Sequence, residues 1–225
     1  MEIFKNMNKI KLYKLWHIDL ETKNQFLVPG DFTKLNDLVL EEKYYKLWNY
    51  IQEYRIHLVD LNYNSEYVGF CSASLTDKFG QEATNILQHK LNTLDFYDAD
   101  LTPIVISQKN WINQAKNYHV GMDKYINAYL EMSNIDPKVL NEQIVYCNSF
   151  ICKSEIYEKA KLIFRENLLK LFEQENYEFD FLDGGYGNVR KLGCLSERLW
   201  GATVRSLSNT FSVPVTQIIW RNTIQ

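Results

Sequence analysis

The chain has 225 residues, 46% of them hydrophobic and 24% charged, with a net charge of −3. That balance is ordinary for a globular chain long enough to bury a core without disulfides or metals. The negative sign, with Lys and Arg dispersed, argues against nucleic-acid binding by phosphate neutralisation.

In chain order, the first segment, "MEIFKNMNKIKLYKLWHIDL", has charges interrupting every apolar run, which suits neither a signal peptide nor a membrane span. No later window is long and apolar enough to cross a bilayer, so a cytoplasmic location is expected, with peripheral attachment through a partner left open. Lys9 to His17 alternates polar and apolar residues and reads as a first strand. "FLVPG" reads as a short strand or loop closed by Pro29 and Gly30. From Asn36 to Tyr54, Leu40, Tyr44, Leu47, Trp48 and Ile51 recur at helical spacing, which predicts a helix. "SEYVGFCSAS" reads as a strand, Gln81 to Leu94 as a helix and "LTPIVIS" as another strand.

A helix over "MDKYINAYLEM" follows, then a short one capped by Asp136 with Pro137 at its first position. "IVYCNSFICK" reads as a buried strand, placing Cys147 and Cys152 on opposite faces. Ser154 is read as the cap of a helix reaching about Gln174, and Ser196 as the cap of a helix over "ERLWGATVRSL". "SVPVTQIIW" closes the series as a strand. Strands alternating with helices predict an α/β domain, and without an internal repeat or a Pro/Ser linker, residues 1–225 read as a single domain.

Few motifs carry chemistry. The glycines in "DGGYGNVRK" have neither P-loop nor dinucleotide-fold spacing. On the Ser196 cap reading, Arg198 falls in a first helical turn, where the helix dipole disfavours a cation, so a carboxylate or an anionic ligand is expected beside it. Asp98-Ala99-Asp100 has the Asp-x-Asp form that can hold Mg²⁺ or Mn²⁺ if the backbone turns between the carboxylates; a solvated loop before the "LTPIVIS" strand is the preferred reading. The four histidines (His17, His57, His89, His119) contain no H-x-x-x-H pair, which argues against zinc. The four cysteines have no C-x-x-C spacing and read as structural thiols of a reducing compartment.

Taken together, "KIKLYKLWH", "FLVPGD", "LNDLVLEEKYYKLWNY" (with Glu42, Tyr45, Trp48 and Asn49 in register), "SEYVGFC", "FYDADLTPIVIS", His119 with Asp123, "NSFICKSEIYEKAKLIF" and "GCLSERL" occur in the order of a known pattern. The chain resembles, over nearly its whole length, the glycosyltransferase-like family of bacterial capsule and exopolysaccharide gene clusters. The resemblance implies a single Rossmann-like domain of GT-A type, with a central, mostly parallel sheet flanked by helices. It implies transfer of a sugar, hexosyltransferase-like, from a nucleotide-diphosphate donor to a saccharide or lipid-linked saccharide acceptor.

His17, Ser72 and Ser74 would line the donor pocket at the strand ends, with Arg198 and Lys191 (or Arg190) facing the diphosphate. Glu197 or Asp123 would act as general base, and His119 and Asn148 would meet the acceptor. One departure stands out. Where the family has "H-Y-R-R-Y", at the strand end that carries the metal-binding Asp-x-Asp of GT-A folds, this chain has "SASLT", Ser72 to Thr76. Either Asp98 and Asp100 supply the Mn²⁺ or Mg²⁺ ligands instead, or the enzyme is metal-independent. The alternative is a non-catalytic carbohydrate-binding or assembly subunit on the same fold.

Overall fold

In the computed structural model, which describes residues 9–16, 31–48, 50–72, 75–182 and 188–217, the expected first strand forms as β1, Ile10–Trp16. Leu12 and Lys14 on one side and Tyr13 and Leu15 on the other are all buried, as on a central strand covered on both faces. β1 pairs in parallel with β2 (Asp31–Lys34) and with β3 (Tyr67–Ser72). β6 (Phe150–Lys153) runs antiparallel to β3 and to β4 (Leu101–Pro103), giving a five-stranded mixed sheet in the order β2-β1-β3-β6-β4. Every strand but β6 therefore points the same way. The chain is mixed α/β.

The expected "LTPIVIS" strand is broken at Ile104: β5 (Val105–Ile106) leaves the main sheet and pairs in parallel with β7 (Thr216–Gln217). The segment before β7 runs alongside β4, with Ser212 N–H donating to the Leu101 carbonyl and Val215 N–H to that of Pro103, so it covers that edge.

The helices are α1 (Tyr45–Trp48), α2 (Leu75–Thr93), α3 (Trp111–Tyr118), α4 (Met122–Met132), α5 (Ser154–Gln174) and α6 (Asn188–Ser206). Met122–Met132 is as expected. Asp136 caps a 3₁₀ turn, Pro137–Asn141, by accepting from Lys138 N–H at 2.9 Å.

Four expectations need correction. The helix expected over Asn36 to Tyr54 is a series of 3₁₀ turns (Leu35–Asp37, Glu42–Tyr44, Gln52–Leu58) around the single turn α1. Leu40, Tyr44, Leu47 and Ile51 are buried as the pattern requires, but spacings of three and four are met by 3₁₀ turns as well as by an α-helix. α2 starts six residues before Gln81 and kinks at Gly80, whose φ of 83° suits glycine. α5 begins at Ser154, whose Oγ donates to the Ser65 carbonyl instead of capping. α6 begins at Asn188, so Ser196 lies inside it and donates back to the Leu192 carbonyl at 3.0 Å. The "FLVPG" segment lies outside the described residues.

The buried side chains form one apolar cluster. α5 packs on β3 and β6, and α6 packs on α5, α4 and the Gln52–Leu58 turn. Phe70, Phe150, Tyr157, Phe164 and Trp200 meet between these elements.

Candidate functional site

Between β1 and β3 the strand order changes direction: the chain goes from β1 outward to β2 on one side and to β3 on the other. In open α/β sheets ligands bind outside the carboxyl ends of the strands at such a switch point. Here that edge is formed by Leu15 and Trp16 of β1 and by Ser72, which pairs with Leu15. His17 and Ser74, expected to continue it, lie outside the described residues.

β6 is antiparallel to β3, so the turn leading into β6 stands at the same edge. The strand expected over "IVYCNSFICK" is therefore confined to its second half; Cys147 and Asn148 instead take left-handed backbone conformations, with φ of 54° and 45°. The Cys147–Cys152 relation expected of a regular strand is corrected accordingly. Two consecutive left-handed residues with side chains cost roughly 1–2 kcal/mol each, and a dense set of bonds holds them. Cys147 N–H donates to Glu197 Oε1 at 2.8 Å, and Asn148 N–H to the Tyr54 hydroxyl oxygen at 3.1 Å, while the Tyr54 hydroxyl points back to Glu197 Oε1 at 3.5 Å. Ser149 Oγ donates to the Cys147 carbonyl at 2.8 Å and accepts Ser72 N–H at 3.3 Å. The Asn148 amide oxygen lies 2.8 Å from His57 Nε2.

Arg198 extends this chain. It is 2% exposed and sits in the interior of α6, so the helix-dipole argument for its partner is withdrawn: the first turn lies ten residues earlier. A partner is present all the same. Nη1 donates to the Cys194 carbonyl at 2.7 Å and lies 3.9 Å from Glu197 Oε2, Nη2 donates to Gln114 Oε1, and the guanidinium lies 5.7 Å from the Tyr146 ring centroid. Burial pulls the guanidinium pKa down, but Tyr146, Glu197 and Cys194 more than offset it and Arg198 stays a cation. Its Nε, fully enclosed, has no partner.

Ser72, Asn148, Glu197 and Arg198 are thus brought together by one run of hydrogen bonds and one ion pair. Tyr54, His57, Gln114 and Cys147 belong to the same cluster. No spacing in the sequence marks these four; only the adjacent turn-forming residues of "CNS" could have hinted at the break in the strand.

The other expected site residues stand elsewhere. Lys191 spends its ammonium on the Phe179 and Phe181 carbonyls, at 2.9 and 3.0 Å, so its expected place facing the diphosphate is corrected; the Arg190 side chain is outside the described set. His119 is buried at the end of α3, with Nδ1 at 3.3 Å from the Leu182 carbonyl, and Asp123 lies in the first turn of α4, 3.9 Å from Lys116 Nζ.

The pair expected to grip a metal does not fit one. Asp100 Oδ1 accepts from Lys153 at 2.9 Å, and Oδ2 accepts from the N–H groups of Asn209 and Thr210 at 2.8 and 3.1 Å. Burial pushes its carboxyl up, and these donors more than reverse that and hold it below the usual range. Asp98 is exposed, and its N–H donates to the hydroxyl of Tyr67, the first residue of β3. Both aspartates therefore sit at the amino end of β3 and β4, the opposite edge from Ser72. Among the described residues no group of three or more His, Cys, Asp or Glu is arranged to hold a metal, and no helix is long and apolar enough to cross a membrane.

Compared with known protein families, with curated proteins and with solved structures, the chain finds no match.

Proposed function

We propose that the protein is a nucleotide-sugar-dependent glycosyltransferase whose donor enters the crevice at the carboxyl ends of β1 and β3. The reading is supported by one observation above the others: a bonded run from Ser72, at the carboxyl edge of β3, through Ser149, Cys147 and Glu197 ends on the buried cation of Arg198. In the proposed reaction an acceptor hydroxyl attacks the anomeric carbon of the donor. The new C–O bond forms as the bond to the β-phosphate oxygen breaks, and a carboxylate takes the hydroxyl proton. Negative charge grows on the departing diphosphate, and the Arg198 guanidinium, buried and bonded through both Nη atoms, is assigned to oppose it through the field of its charge and not by direct contact. No metal step is included, because Ser72 at the carboxyl edge carries no carboxylate and Asp98 and Asp100 stand at the opposite edge. For the base, Glu197 is at the crevice with Oε1 already taken by Cys147 N–H, and Asp123 stands on α4, which packs against α6.

That commitment of Glu197 to backbone also favours a second reading, a carbohydrate- or nucleotide-binding subunit without turnover. Melting curves with uridine, guanosine, cytidine and thymidine diphosphates, each with Mn²⁺ and with EDTA, test the first reading. One diphosphate is expected to raise the melting temperature equally in both conditions, since a ligand at 100 times its Kd adds about 2.7 kcal/mol. Stabilisation by none of them would overturn both nucleotide readings, and binding without sugar transfer or donor hydrolysis would leave the binding subunit.

A further inference from the structure

His57 is completely enclosed, yet it hydrogen-bonds the turn that leads into β6 at the carboxyl edge of β3. Its ring lies flat on Trp200, with centroids 3.6 Å apart and planes 11° from parallel, and Phe70, Tyr157 and Phe164 present edges to it. Two polar atoms complete the box: Asn148 Oδ1 at 2.8 Å from Nε2 and the Tyr157 hydroxyl at 3.3 Å from Nδ1. An amide oxygen only accepts, so the proton belongs on Nε2, and Nδ1 takes the Tyr157 hydrogen.

We infer that His57 is a positioning residue for the crevice: as a neutral imidazole protonated at Nε2, it holds the Asn148 side chain and thereby fixes the left-handed Cys147–Asn148 turn in the shape that receives the ligand. The ligand part of this inference rests on the crevice reading given under Proposed function.

The surroundings fix the charge state. α5 presents Tyr157, Lys161 and Arg165, the last donating from Nε to the His57 carbonyl at 3.4 Å. The Gln52–Leu58 turn presents Tyr54, α6 presents Trp200, and β3 and β6 present Phe70 and Phe150. The charged groups acting on the ring are the two cations. Burial first, and then Lys161 and Arg165, oppose a second proton; the Asn148 bond works the other way and is outweighed.

A turn held through the Nε2–H of one imidazole releases when that donor is removed, whereas a second proton, on Nδ1, would cost the Tyr157 bond and not the Asn148 bond. The test uses the full chain, with His57→Phe, which keeps the stack on Trp200 but has no donor, and His57→Gln, whose amide can donate to Asn148. In the wild type, ¹⁵N-histidine NMR is expected to show His57 still neutral and protonated at Nε2 when the pH falls below the ordinary histidine value of 6.5. Alkylation of the half-buried Cys147 by iodoacetamide is expected to speed up in the Phe variant and to return towards wild type in the Gln variant. Cys71 and Cys152, fully buried, stay unlabelled if the fold is intact.

Binding of whichever nucleoside diphosphate stabilises the wild type is expected to weaken about tenfold in the Phe variant, the worth of one hydrogen bond of about 1.4 kcal/mol. An Nδ1–H tautomer, or a Phe variant with unchanged Cys147 reactivity, would overturn the positioning role. Altered Cys147 reactivity with unchanged affinity would overturn its link to the ligand. If no diphosphate binds the wild type, the crevice reading fails, and NMR and thiol reactivity still decide whether His57 holds the turn.

Discussion

Asp100 shows how the same residue type serves chemistry or architecture according to its donors. Its carboxylate closes three separate segments on one another: Lys153 at the end of β6, and the N–H groups of Asn209 and Thr210 where the chain returns along β4. Removing it strands two backbone donors, only partly reached by water since the residue is 9% exposed. Asp100→Ala is expected to lower stability by about 1–3 kcal/mol in urea unfolding. A loss below roughly half a kcal/mol, the usual scatter of a surface substitution, would mean that these bonds are not holding the edge. The same commitment predicts that EDTA leaves the wild-type melting temperature unchanged. A drop with EDTA that Mn²⁺ restores would show a metal bound to the native state.

At the scale of elements, the Cys147–Asn148 turn depends on how closely α6 approaches the segment before β6. Gly201 permits this: a Cβ there would lie 2.6 Å from the Val145 carbonyl oxygen and 3.0 Å from the Ile144 side chain. A backbone carbonyl cannot swing aside as a side-chain tip can, so Gly201→Ala must push α6 away from Val145, and Cys147 lies two residues further on. Overpacking of this kind costs typically 1–3 kcal/mol, more than the gain in helix propensity of about 1 kcal/mol. Destabilisation measured by calorimetry, together with faster Cys147 alkylation, is the expected result, and a variant as stable as wild type would contradict it.

This close approach was not legible in the sequence, which shows a glycine in a helix but not what faces it. What was legible was periodicity. β1, β3, α4 and α5 follow from apolar spacing, because burial of one face is a local property of the pattern. α3 was missed although Trp111, Ile112 and Ala115 do bury one side, since eight residues give too few repeats to stand out. The site was legible only in part. Arg198 stood out as an odd cation, but the reason assigned to it depended on a helix start, Glu197, that lies nine residues after the observed one. Tyr54, His57 and Gln114 reach Glu197, Asn148 and Arg198 through contacts 84 to 143 residues apart in sequence, which no local pattern encodes.

For the molecule as a whole, the buried imidazole and the paired carboxylates divide acid sensitivity into two windows. A histidine held below its ordinary value of 6.5 in the folded chain binds its proton more readily when unfolded. Its contribution to stability is therefore complete above about pH 6.5 and declines as the pH falls towards the folded value, by at most about 1.4 kcal/mol per pH unit. Asp100, and Asp60 beside Arg165 and Lys161, are held below their ordinary 3.8, so their contributions persist until the pH falls below about 4 and are lost through the lower folded values. Asp60 is largely exposed and its share is screened, so Asp100 dominates the lower window. Urea unfolding at about pH 7.5, 6 and 5 separates the two, because the Asp100 and Asp60 carboxylates, held below 3.8, stay ionised throughout that range. The wild type is expected to lose stability from pH 6 to 5, whereas His57→Gln, weaker at pH 7.5, should hold nearly level over the same interval. Parallel losses in the two proteins would mean that His57 takes up its proton as readily in the folded chain as in the unfolded one, which would overturn the neutral state assigned to it.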